Sequence, residues 1–380
     1  MITHINKRLA LASIRLFFIF VFSFTLISCG GSSSSVQNPP APPTDQNRGG
    51  FQSISSRVVN SIESIQAAIN SVGGQNITAK YAVNTYKLEY MTLDSANALV
   101  KVSGLIAIPE KTTPSPIVSY QHATTFTNKS APSFQLTAGE ESIEIALASL
   151  GYIVFSADYV GFGSSFGRDH PYLQKLPSAY AVNDMLKAIK TWMDFSDIKT
   201  NEQLFMTGYS QGGYVTMAAL QDLHSNPQEG LQIVTAVMGA GPYDLSLALN
   251  ELVENNLGIS LPRVDIPDFL VDPVIDIIEK TLIPDNADVG FESDFLERFL
   301  TDDRQDDVHN WQPLVPIKLF HGDDDETVPI ESAESTLKTM LDLGADIELI
   351  RCTENPSSHS KCVLPFINFV VDHFESLRSD

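Results

Sequence analysis

The chain has 380 residues, of which 43% are hydrophobic and 18% charged, and its formal net charge at pH 7 is −22. Its apolar content is too high for a disordered chain, and its length is enough to bury a core without a framework of disulfides. The strong negative charge repels polyanions. The composition therefore predicts a globular protein and excludes nucleic acid as a partner.

The N-terminal segment has the layout of an export signal. Basic residues in MITHINKRLALASIR precede the apolar run LFFIFVFSFTLIS, which is too short for a comfortable membrane span. The pentapeptide LISCG at 26–30 resembles the lipobox of bacterial lipoproteins. This resemblance implies cleavage before Cys29 and lipidation of that residue, and Gly30 in place of Asp favours the outer membrane. The alternative is an uncleaved anchor helix in which Cys29 is incidental.

Residues 30–50 are expected to form a tether. Twelve of these 21 residues are Gly, Ser or Pro and few are apolar, so the segment cannot build a core of its own. The sequence thus predicts a signal peptide at 1–28, a lipidated cysteine with a flexible linker at 29–50 and a folded domain at 51–380. The protein is expected to be exported and held by its lipid at the outer membrane or cell surface.

Two cysteines remain once Cys29 is assigned to the lipid. Cys352 and Cys362 are ten residues apart, and an exported protein folds in an oxidising compartment. They are predicted to form a disulfide, and the alternative is a pair of unrelated thiols.

Strand and helix patterns alternate from about residue 80 onward. The predicted strands are, in chain order, TYKLEYMTL, ALVKVSGLIAIPE, PIVSYQ, YIVFSADY, QLFMTGYS, QIVTAVMGAG, PIKLFHG and DIELIRC. The predicted helices are EESIEIALASLG, SAYAVNDMLKAIKTWMDF, QGGYVTMAALQDLHS, SAESTLKTMLDLG and FINFVVDHFESL. The first two strands are expected to form a hairpin, and the apolar strands that follow predict an α/β fold with a mostly parallel sheet flanked by helices. SISSRVVNSIESIQAAINSV at 53–72 predicts one further helix without indicating where it docks.

The hexapeptide GYSQGG at 208–213 is the central motif. It joins a predicted strand to a predicted helix, so Ser210 falls on a turn where a Cβ at the flanking glycines would collide with backbone. Such a turn exposes the hydroxyl and directs a helix N-terminus towards a developing oxyanion. Ser210 is therefore the predicted nucleophile, and the alternative is an ordinary Ser-Gly turn.

From about Val83 to Leu377 the chain resembles the α/β-hydrolase superfamily, and within it the serine esterases of the bacterial and fungal secretory-lipase type. The motifs that carry the resemblance are ADYVGFGSSFG, HPYL at 170–173, GYSQGG and HGDDDETVP. It implies the chain order Ser, acid, His, with no cofactor and no metal. Asp158 and Tyr159 match the family string without an implied role.

The acidic loop after the strand PIKLF is expected to supply the acid of the triad. Its string HGDDDETVP fits the acid turn of the resembled family, which selects Asp325 and leaves Asp324 as the runner-up. The alternatives are a solvated acidic loop or a calcium site.

His359 is the predicted base. Of the eight histidines only His359 and His373 follow the last predicted strand, and His373 falls within the C-terminal helix, away from the strand ends. His359 lies in the loop ENPSSHSK, which the predicted disulfide would restrict. An ordinary polar loop is the alternative.

An oxyanion hole requires two backbone N–H groups. The resemblance implies that Gln211, directly after the nucleophile, supplies one, and that Ala123 or Thr124, in the loop after PIVSYQ, supplies the other. The family commonly has His-Gly in this loop. Ala123 departs from that pattern only mildly, because backbone amides alone are needed.

An insertion at about 243–312 is predicted to form a helical cap. It holds 16 acidic and four basic residues between 251 and 310. Apolar stripes run along its predicted helices, at Val271, Val274, Ile275, Ile278 and Leu282 and at Phe295, Leu296, Phe299 and Leu300. Most of these residues are expected to pack on the sheet domain, and the hypothesis for the others is that they line an acyl pocket above Ser210.

These features predict a serine carboxylic-ester hydrolase, a lipase or carboxylesterase, whose partner is an ester substrate. Two rivals differ from it in class. A serine peptidase of the same fold would keep the triad but usually brings a propeller or a long helical cap. A non-catalytic cell-surface binding protein would be expected to lose a triad residue or an elbow glycine.

Overall fold

The computed structural model describes residues 39–74, 76–139, 142–249, 275, 279, 283–300 and 303–379. The predicted signal peptide, Cys29 and the first part of the predicted linker lie outside the described residues. The same holds for four residues of the predicted cap stripes and for the side chains of two more, which are Val271, Val274, Ile278 and Leu282, and Phe295 and Phe299. Within the described ranges, no helix combines the length and apolar character that crossing a membrane requires.

Ten strands of the described chain form one mixed sheet. They are β1 (Phe51–Ile54), β2 (Val58–Asn60), β3 (Val83–Leu93), β4 (Leu99–Pro109), β5 (Ser115–Gln121), β6 (Ile153–Ala157), β7 (Thr200–Tyr209), β8 (Gln232–Gly239), β9 (Ile317–His321) and β10 (Ile347–Arg351). Their order across the sheet is β1-β3-β4-β6-β5-β7-β8-β9-β10, with β2 paired to β3. The pairs from β1 to β6 are antiparallel, and those from β6 to β10 are parallel. The predicted hairpin and mostly parallel sheet are confirmed.

Helices cover both faces of this sheet. The α-helices of the described residues are α1 (Ile62–Ser71), α2 (Ile143–Ser149), α3 (Lys175–Phe195), α4 (Gln211–Ser225), α5 (Asp294–Leu300), α6 (Ile330–Asp342) and α7 (Val363–Leu377). One apolar cluster contains residues of α1, α2 and α7, and a second contains residues of α3, α4 and α6. Phe205 of β7 belongs to the first cluster while Leu204 and Met206 belong to the second, because successive strand side chains point to opposite faces.

The chain changes direction across the sheet at β5. β6 lies on one side of β5 and β7 on the other. Open parallel sheets bind ligands at such a switch point, outside the carboxyl ends of the strands. The last residues of the two central strands pair there, Gln121 with Gly208, so the loop after β5 lies beside Ser210.

The segment 53–72 is a helix only in its second half. Its first half forms part of β1 and all of β2, which pair with β3. The helix begins after Ser61, whose hydroxyl accepts a hydrogen bond from the Ser64 amide at 3.2 Å. The prediction of one helix was wrong because the β-branched residues of β2 gain their stability from pairing with a distant strand, which local periodicity does not reveal.

The predicted linker ends before residue 50. The Gly49 amide donates to a carbonyl of β3 at 2.8 Å. Arg48 Nε lies 2.9 Å from Asp184 Oδ1, and its guanidinium lies 3.7 Å from the centre of the Tyr180 ring. The described residues from 39 onward all belong to the compact unit that holds the sheet. Composition could not indicate this docking, because it depends on one arginine and an acid far along the chain.

Candidate active site

Ser210 occupies a sharp turn between the end of β7 and the start of α4. Its φ is 57° and its ψ −124°, a costly conformation for a residue with a side chain. The surroundings hold it in place, since a Cβ at Gly208 would collide with the Gly212 carbonyl and one at Gly212 would collide with the Gln121 carbonyl. The Ser210 amide donates to the Gly239 carbonyl at 2.8 Å. The turn thus presents the hydroxyl at the carboxyl end of the sheet.

The three residues predicted as nucleophile, base and acid lie in one hydrogen-bonded line. His359 Nε2 is 2.9 Å from Ser210 Oγ, and His359 Nδ1 is 2.7 Å from Asp325 Oδ2. An ionised carboxylate only accepts, so Nδ1 carries the proton and Nε2 keeps its lone pair for the serine hydroxyl. His373, the other candidate base, lies in α7 with Nε2 3.5 Å from the Thr235 hydroxyl.

The Asp325 carboxylate is buried, with 1% of its side chain exposed. Its Oδ1 accepts hydrogen bonds from the backbone amides of Thr327 and Val328, both at 2.9 Å, and its Oδ2 lies 3.4 Å from His321 Nε2. Burial acts to raise the pKa of Asp325, but hydrogen bonds from His321, His359 and the Val328 amide outweigh it and hold this pKa well below its usual range. Asp325 is therefore ionised near neutral pH.

The neighbouring carboxylates have other partners. Asp324 Oδ2 accepts hydrogen bonds from the Ser357 amide at 2.8 Å and from the Ser357 hydroxyl at 3.0 Å. Asp323 pairs with Arg351. The three consecutive acids thus face three different groups and do not converge on one calcium ion. Asp325 alone contacts His359, which distinguishes it from the runner-up Asp324.

The loop that carries His359 is closed by the predicted disulfide, which is confirmed. The sulfurs of Cys352 and Cys362 are 2.09 Å apart. The Cys352 amide donates to the His321 carbonyl at 2.7 Å, and the Tyr209 hydroxyl donates to the His359 carbonyl at 2.8 Å. The loop is therefore held at its ends and at the histidine itself.

The loop after β5 is oriented by buried rings. Ala123 and Thr124 line the same cavity as Ser210. The Tyr159 hydroxyl donates to the His122 carbonyl at 3.1 Å, and His122 Nδ1 lies 2.8 Å from the Ala123 carbonyl. In a trans peptide the C=O and the following N–H point in opposite directions. These contacts therefore direct the amides of Ala123 and Thr124 away from the rings.

Gln211 opens α4, where backbone N–H groups have no partner within the helix. Its side chain is held separately, with Nε2 2.7 Å from His170 Nε2. His170 Nδ1 lies 2.8 Å from the Val160 carbonyl, and burial lowers the pKa of His170 to about 3. The imidazole is therefore neutral, and its free lone pair accepts the Gln211 amide.

A cavity of about 470 Å³ opens beside Ser210 and His359. Its wall is mainly apolar. The insertion contributes Ala248, Leu249, Glu279, Ile283, Phe291 and Leu296 to that wall. Leu296, from one predicted stripe, lines the cavity, and it also belongs to the core cluster that contains Ile275 of the other stripe. Both residues thus pack in the core, and Leu296 lines the cavity as well.

The contacts of three supporting residues were not predicted. His321 lies beside Asp325, the Tyr209 hydroxyl bonds the His359 carbonyl, and the Tyr159 hydroxyl bonds the loop after β5. All three stand in motifs of the sequence analysis, His321 in HGDDDETVP, Tyr209 in GYSQGG and Tyr159 in ADYVGFGSSFG. The motifs did not indicate these contacts, because each joins segments that are distant or that only the folded loops bring together.

The strand order and the sharp turn at Ser210 define the fold: the chain has the α/β-hydrolase fold. It is similar to the rice cell wall degrading esterase LipA from Xanthomonas oryzae, with a TM-score of 0.70 and 20% identity over 87% of this chain and 100% of that chain. It is also similar to Candida antarctica lipase A in its closed state, with a TM-score of 0.59 and 18% identity over 88% of this chain and 84% of that chain.

A hydrolase from Legionella pneumophila gives a TM-score of 0.67 and 21% identity over 85% of this chain and 98% of that chain. The model of the secretory lipase family matches residues 127–259, which include the turn at Ser210. No curated protein matches the chain. The predicted resemblance to secretory lipases is confirmed over these residues.

Proposed function

We propose that the chain is a serine carboxylic-ester hydrolase, a lipase or carboxylesterase, that acts through an acyl-enzyme. The hydrogen-bonded line from Asp325 through His359 to Ser210, at the wall of an apolar cavity, carries this proposal. A serine hydroxyl is a weak nucleophile, and an imidazole oriented by a buried carboxylate is the arrangement that activates it.

Acylation begins when Ser210 Oγ attacks the ester carbonyl carbon and His359 Nε2 takes the hydroxyl proton. The carbonyl π electrons move to oxygen, and the amide of Gln211, with that of Ala123 or Thr124, stabilises this oxyanion. As the tetrahedral intermediate collapses, the carbon–oxygen bond to the alcohol breaks and His359 gives its proton to the departing oxygen. The acyl group remains on Ser210.

Deacylation repeats these steps with water as the nucleophile. His359 takes a proton from water, the hydroxide oxygen bonds to the acyl carbon, and the proton then passes to Ser210 Oγ as the carboxylic acid leaves. Asp325 stays ionised throughout. Its charge holds the Nδ1–H tautomer and stabilises the imidazolium that forms twice in each cycle.

The cavity supports an apolar acyl group as the part of the substrate that is recognised. Its insertion residues include Leu249, Ile283 and Phe291, whose side chains offer contact to a hydrocarbon chain. An N-terminal lipid on Cys29 would hold the enzyme at a membrane, where lipids and exported esters are available. Mass spectrometry of the mature N-terminus tests that anchor.

Replacement of Ser210 tests the proposed reaction. Ser210→Ala is expected to lower kcat on p-nitrophenyl esters on the order of 10⁴-fold or more, as removal of a triad nucleophile does. Ser225→Ala, at the exposed end of the same helix, is the matched control and should leave kcat unchanged.

The same assay separates the rival functions. Residual activity of Ser210→Ala within about tenfold of the parent would contradict the proposed nucleophile. Faster turnover of aminoacyl amides than of esters would indicate a peptidase. Absence of turnover on every substrate by the parent protein would favour a binding protein.

The acyl pocket has its own test at Phe291. This half-buried ring lines the cavity and packs against Tyr172 and Phe126, with ring centres 5.7 Å and 5.6 Å apart. Phe291→Ala should lengthen the preferred acyl chain, measured as the ratio of kcat/KM for long and short p-nitrophenyl esters. Phe134→Ala, at an exposed phenylalanine outside the cavity, should leave this ratio unchanged, and an equal change in both variants would contradict the assignment.

A further inference from the structure

The two ends of the 243–312 insertion meet in a buried group of side chains that are typical metal ligands. Asp244 follows β8, and Asp307 and His309 precede β9. One oxygen or nitrogen atom of each residue lies within 4.8 Å of those of the other two. The group therefore joins the start of the insertion to its return.

The surrounding bonds fix the two carboxylates without saturating them. Asp244 accepts the hydroxyl of Ser246 on Oδ1 at 3.1 Å and that of Ser335 on Oδ2 at 2.9 Å. Asp307 Oδ1 accepts the Leu245 amide at 3.1 Å. Each carboxylate oxygen has two lone pairs, so capacity for another partner remains on both residues.

Two buried atoms of the group have no hydrogen-bond partner within the described chain, namely Asp307 Oδ2 and His309 Nδ1. The side chains of Asp307 and His309 are only 9% and 10% exposed. Arg304 lies 3.8 Å from Asp307 Oδ2, and His309 Nε2 lies 3.6 Å from Asp244 Oδ2, both too long for hydrogen bonds. Buried polar atoms without partners are rare. Asp307 Oδ2 therefore leaves an acceptor for a further atom, whereas an ion bound by His309 Nε2, the nitrogen near Asp244, would leave Nδ1 as it is.

The charge of the group indicates the sign of that atom. Asp244 and Asp307 bring two carboxylates together, and their side chains are only 7% and 9% exposed. A cation between the two acids would attract both carboxylates, whereas an anion would repel them.

We propose that Asp244, Asp307 and His309 bind a divalent transition-metal ion, represented by Zn²⁺. An imidazole nitrogen with two carboxylates suits zinc, whereas Ca²⁺ and Mg²⁺ prefer oxygen alone. Two ligands at about 2.1 Å in a tetrahedral shell lie about 3.4 Å apart, close to the 3.6 Å between His309 Nε2 and Asp244 Oδ2. Water completes the shell, and the ion cross-links the two ends of the insertion.

The direct test is zinc titration of the purified full-length protein after treatment with EDTA and desalting. Calorimetry should show one Zn²⁺ per chain with a dissociation constant of about 1 μM or lower, and thermal unfolding should shift upward with Zn²⁺ in excess. Ca²⁺ and Mg²⁺ at the same concentration should give no shift. Ser210→Ala should bind zinc as the parent does, because the site is separate from the proposed chemistry.

Asp307→Asn is the decisive variant. It retains an oxygen for the Leu245 amide but loses the charge, and zinc affinity should fall about 100-fold or more. Asp303→Asn, at an exposed acid nearby, is the matched control and should bind as the parent does. His309→Gln should behave like Asp307→Asn.

Equal zinc affinity in the parent and Asp307→Asn would overturn the proposal, as would the absence of stoichiometric binding by the parent. In that case the three side chains form a buried polar cluster that holds no metal. A stronger stabilisation by Ca²⁺ than by Zn²⁺ would also contradict it.

Discussion

The two sides of Ser210 differ in how their buried groups carry charge. On the side of the proposed acid and base, hydrogen bonds hold the pKa of Asp325 well below its usual range although the group is buried. On the oxyanion side burial dominates, raising the pKa of Glu144 to about 7 and lowering that of His170 to about 3. Glu144 lines a cavity of about 350 Å³ behind the loop that carries Ala123.

This difference matches what each side has to stabilise. In the proposed reaction, a fixed negative charge beside His359 favours the imidazolium, which would form as the proton leaves Ser210. The same charge behind the proposed oxyanion loop would oppose the negative oxygen of the tetrahedral intermediate. Neutral rings position that loop instead, through the hydroxyl of Tyr159 and the imidazole of His122.

On the side of the proposed acid and base, Asp325→Asn removes the negative charge beside His359. The amide can present its NH₂ to His359, which favours the wrong imidazole tautomer, and kcat should fall about 10⁴-fold. Asp324→Asn should lower kcat less than about tenfold, since Asp324 only accepts bonds from Ser357. Ester hydrolysis at saturating substrate measures both.

The exposed pair of Asp323 and Arg351 provides the control for surface charge, so Asp323→Asn should leave kcat near that of the parent. If Asp324→Asn is the crippling change and Asp325→Asn is mild, the acid is assigned one residue too late.

On the other side, Tyr159→Phe removes the hydrogen bond to the His122 carbonyl in the loop after β5 and keeps the ring. The loop amides lose part of their orientation, so kcat should fall about 10- to 100-fold, less than for loss of an entire oxyanion donor. KM should stay constant, because the oxyanion forms only after binding. The inhibition constant of a trifluoromethyl ketone, which binds as a tetrahedral adduct, should weaken by the same factor as kcat/KM.

Tyr90→Phe is the matched control for a lost buried hydroxyl. Tyr90 donates to the Ala181 carbonyl at 2.6 Å within the core. The Tyr90→Phe variant should have a lower free energy of unfolding, and its kcat should stay near that of the parent. Equal kinetic effects of the two variants would show that Tyr159 acts on stability alone.

Glu144→Gln gives the smallest effect, on stability. A folded pKa of about 7, well above that of an ordinary glutamate, means that the folded state holds its proton more tightly, so stability is full at low pH and falls as pH rises to the folded pKa. The glutamine variant should match the parent near pH 4.5 and exceed it at pH 8 by on the order of 3 kcal/mol in unfolding free energy. Urea unfolding at both pH values, with Glu331→Gln as the exposed control, measures this difference. A constant difference at both pH values would contradict the assignment.

Local patterns were sufficient for much of the fold. The helix predicted from Gln211 begins at that residue, and the predicted hairpin is β3 with β4, because hydrophobic periodicity reflects burial on the faces of a sheet. The positions brought together around Ser210 follow strand ends, which the alternation of strands and helices locates. The alternation located the acidic loop, and the resemblance of its string to the acid turn of the family selected Asp325 within it, with Asp324 as the runner-up.

Contacts between distant segments could not be predicted. Arg48 docks on Asp184, and Tyr159 bonds the carbonyl of His122, through geometry that only the folded chain creates. The choice between Ala123 and Thr124 as donor has the same origin, because any residue has a backbone amide and the side chain carries no information about its direction.

The cross-link between Cys352 and Cys362 makes the proposed base sensitive to where the protein folds. Closing a loop of this length removes roughly 3 kcal/mol of chain entropy from the unfolded state. Without the disulfide, the protein loses that entropy during folding itself. In a reducing cytoplasm the thiols stay separate, and the segment around His359 has more conformations to lose. Oxidation after export would then act as a maturation step, so recombinant protein from a reducing host is expected to have lower specific activity until its thiols are oxidised.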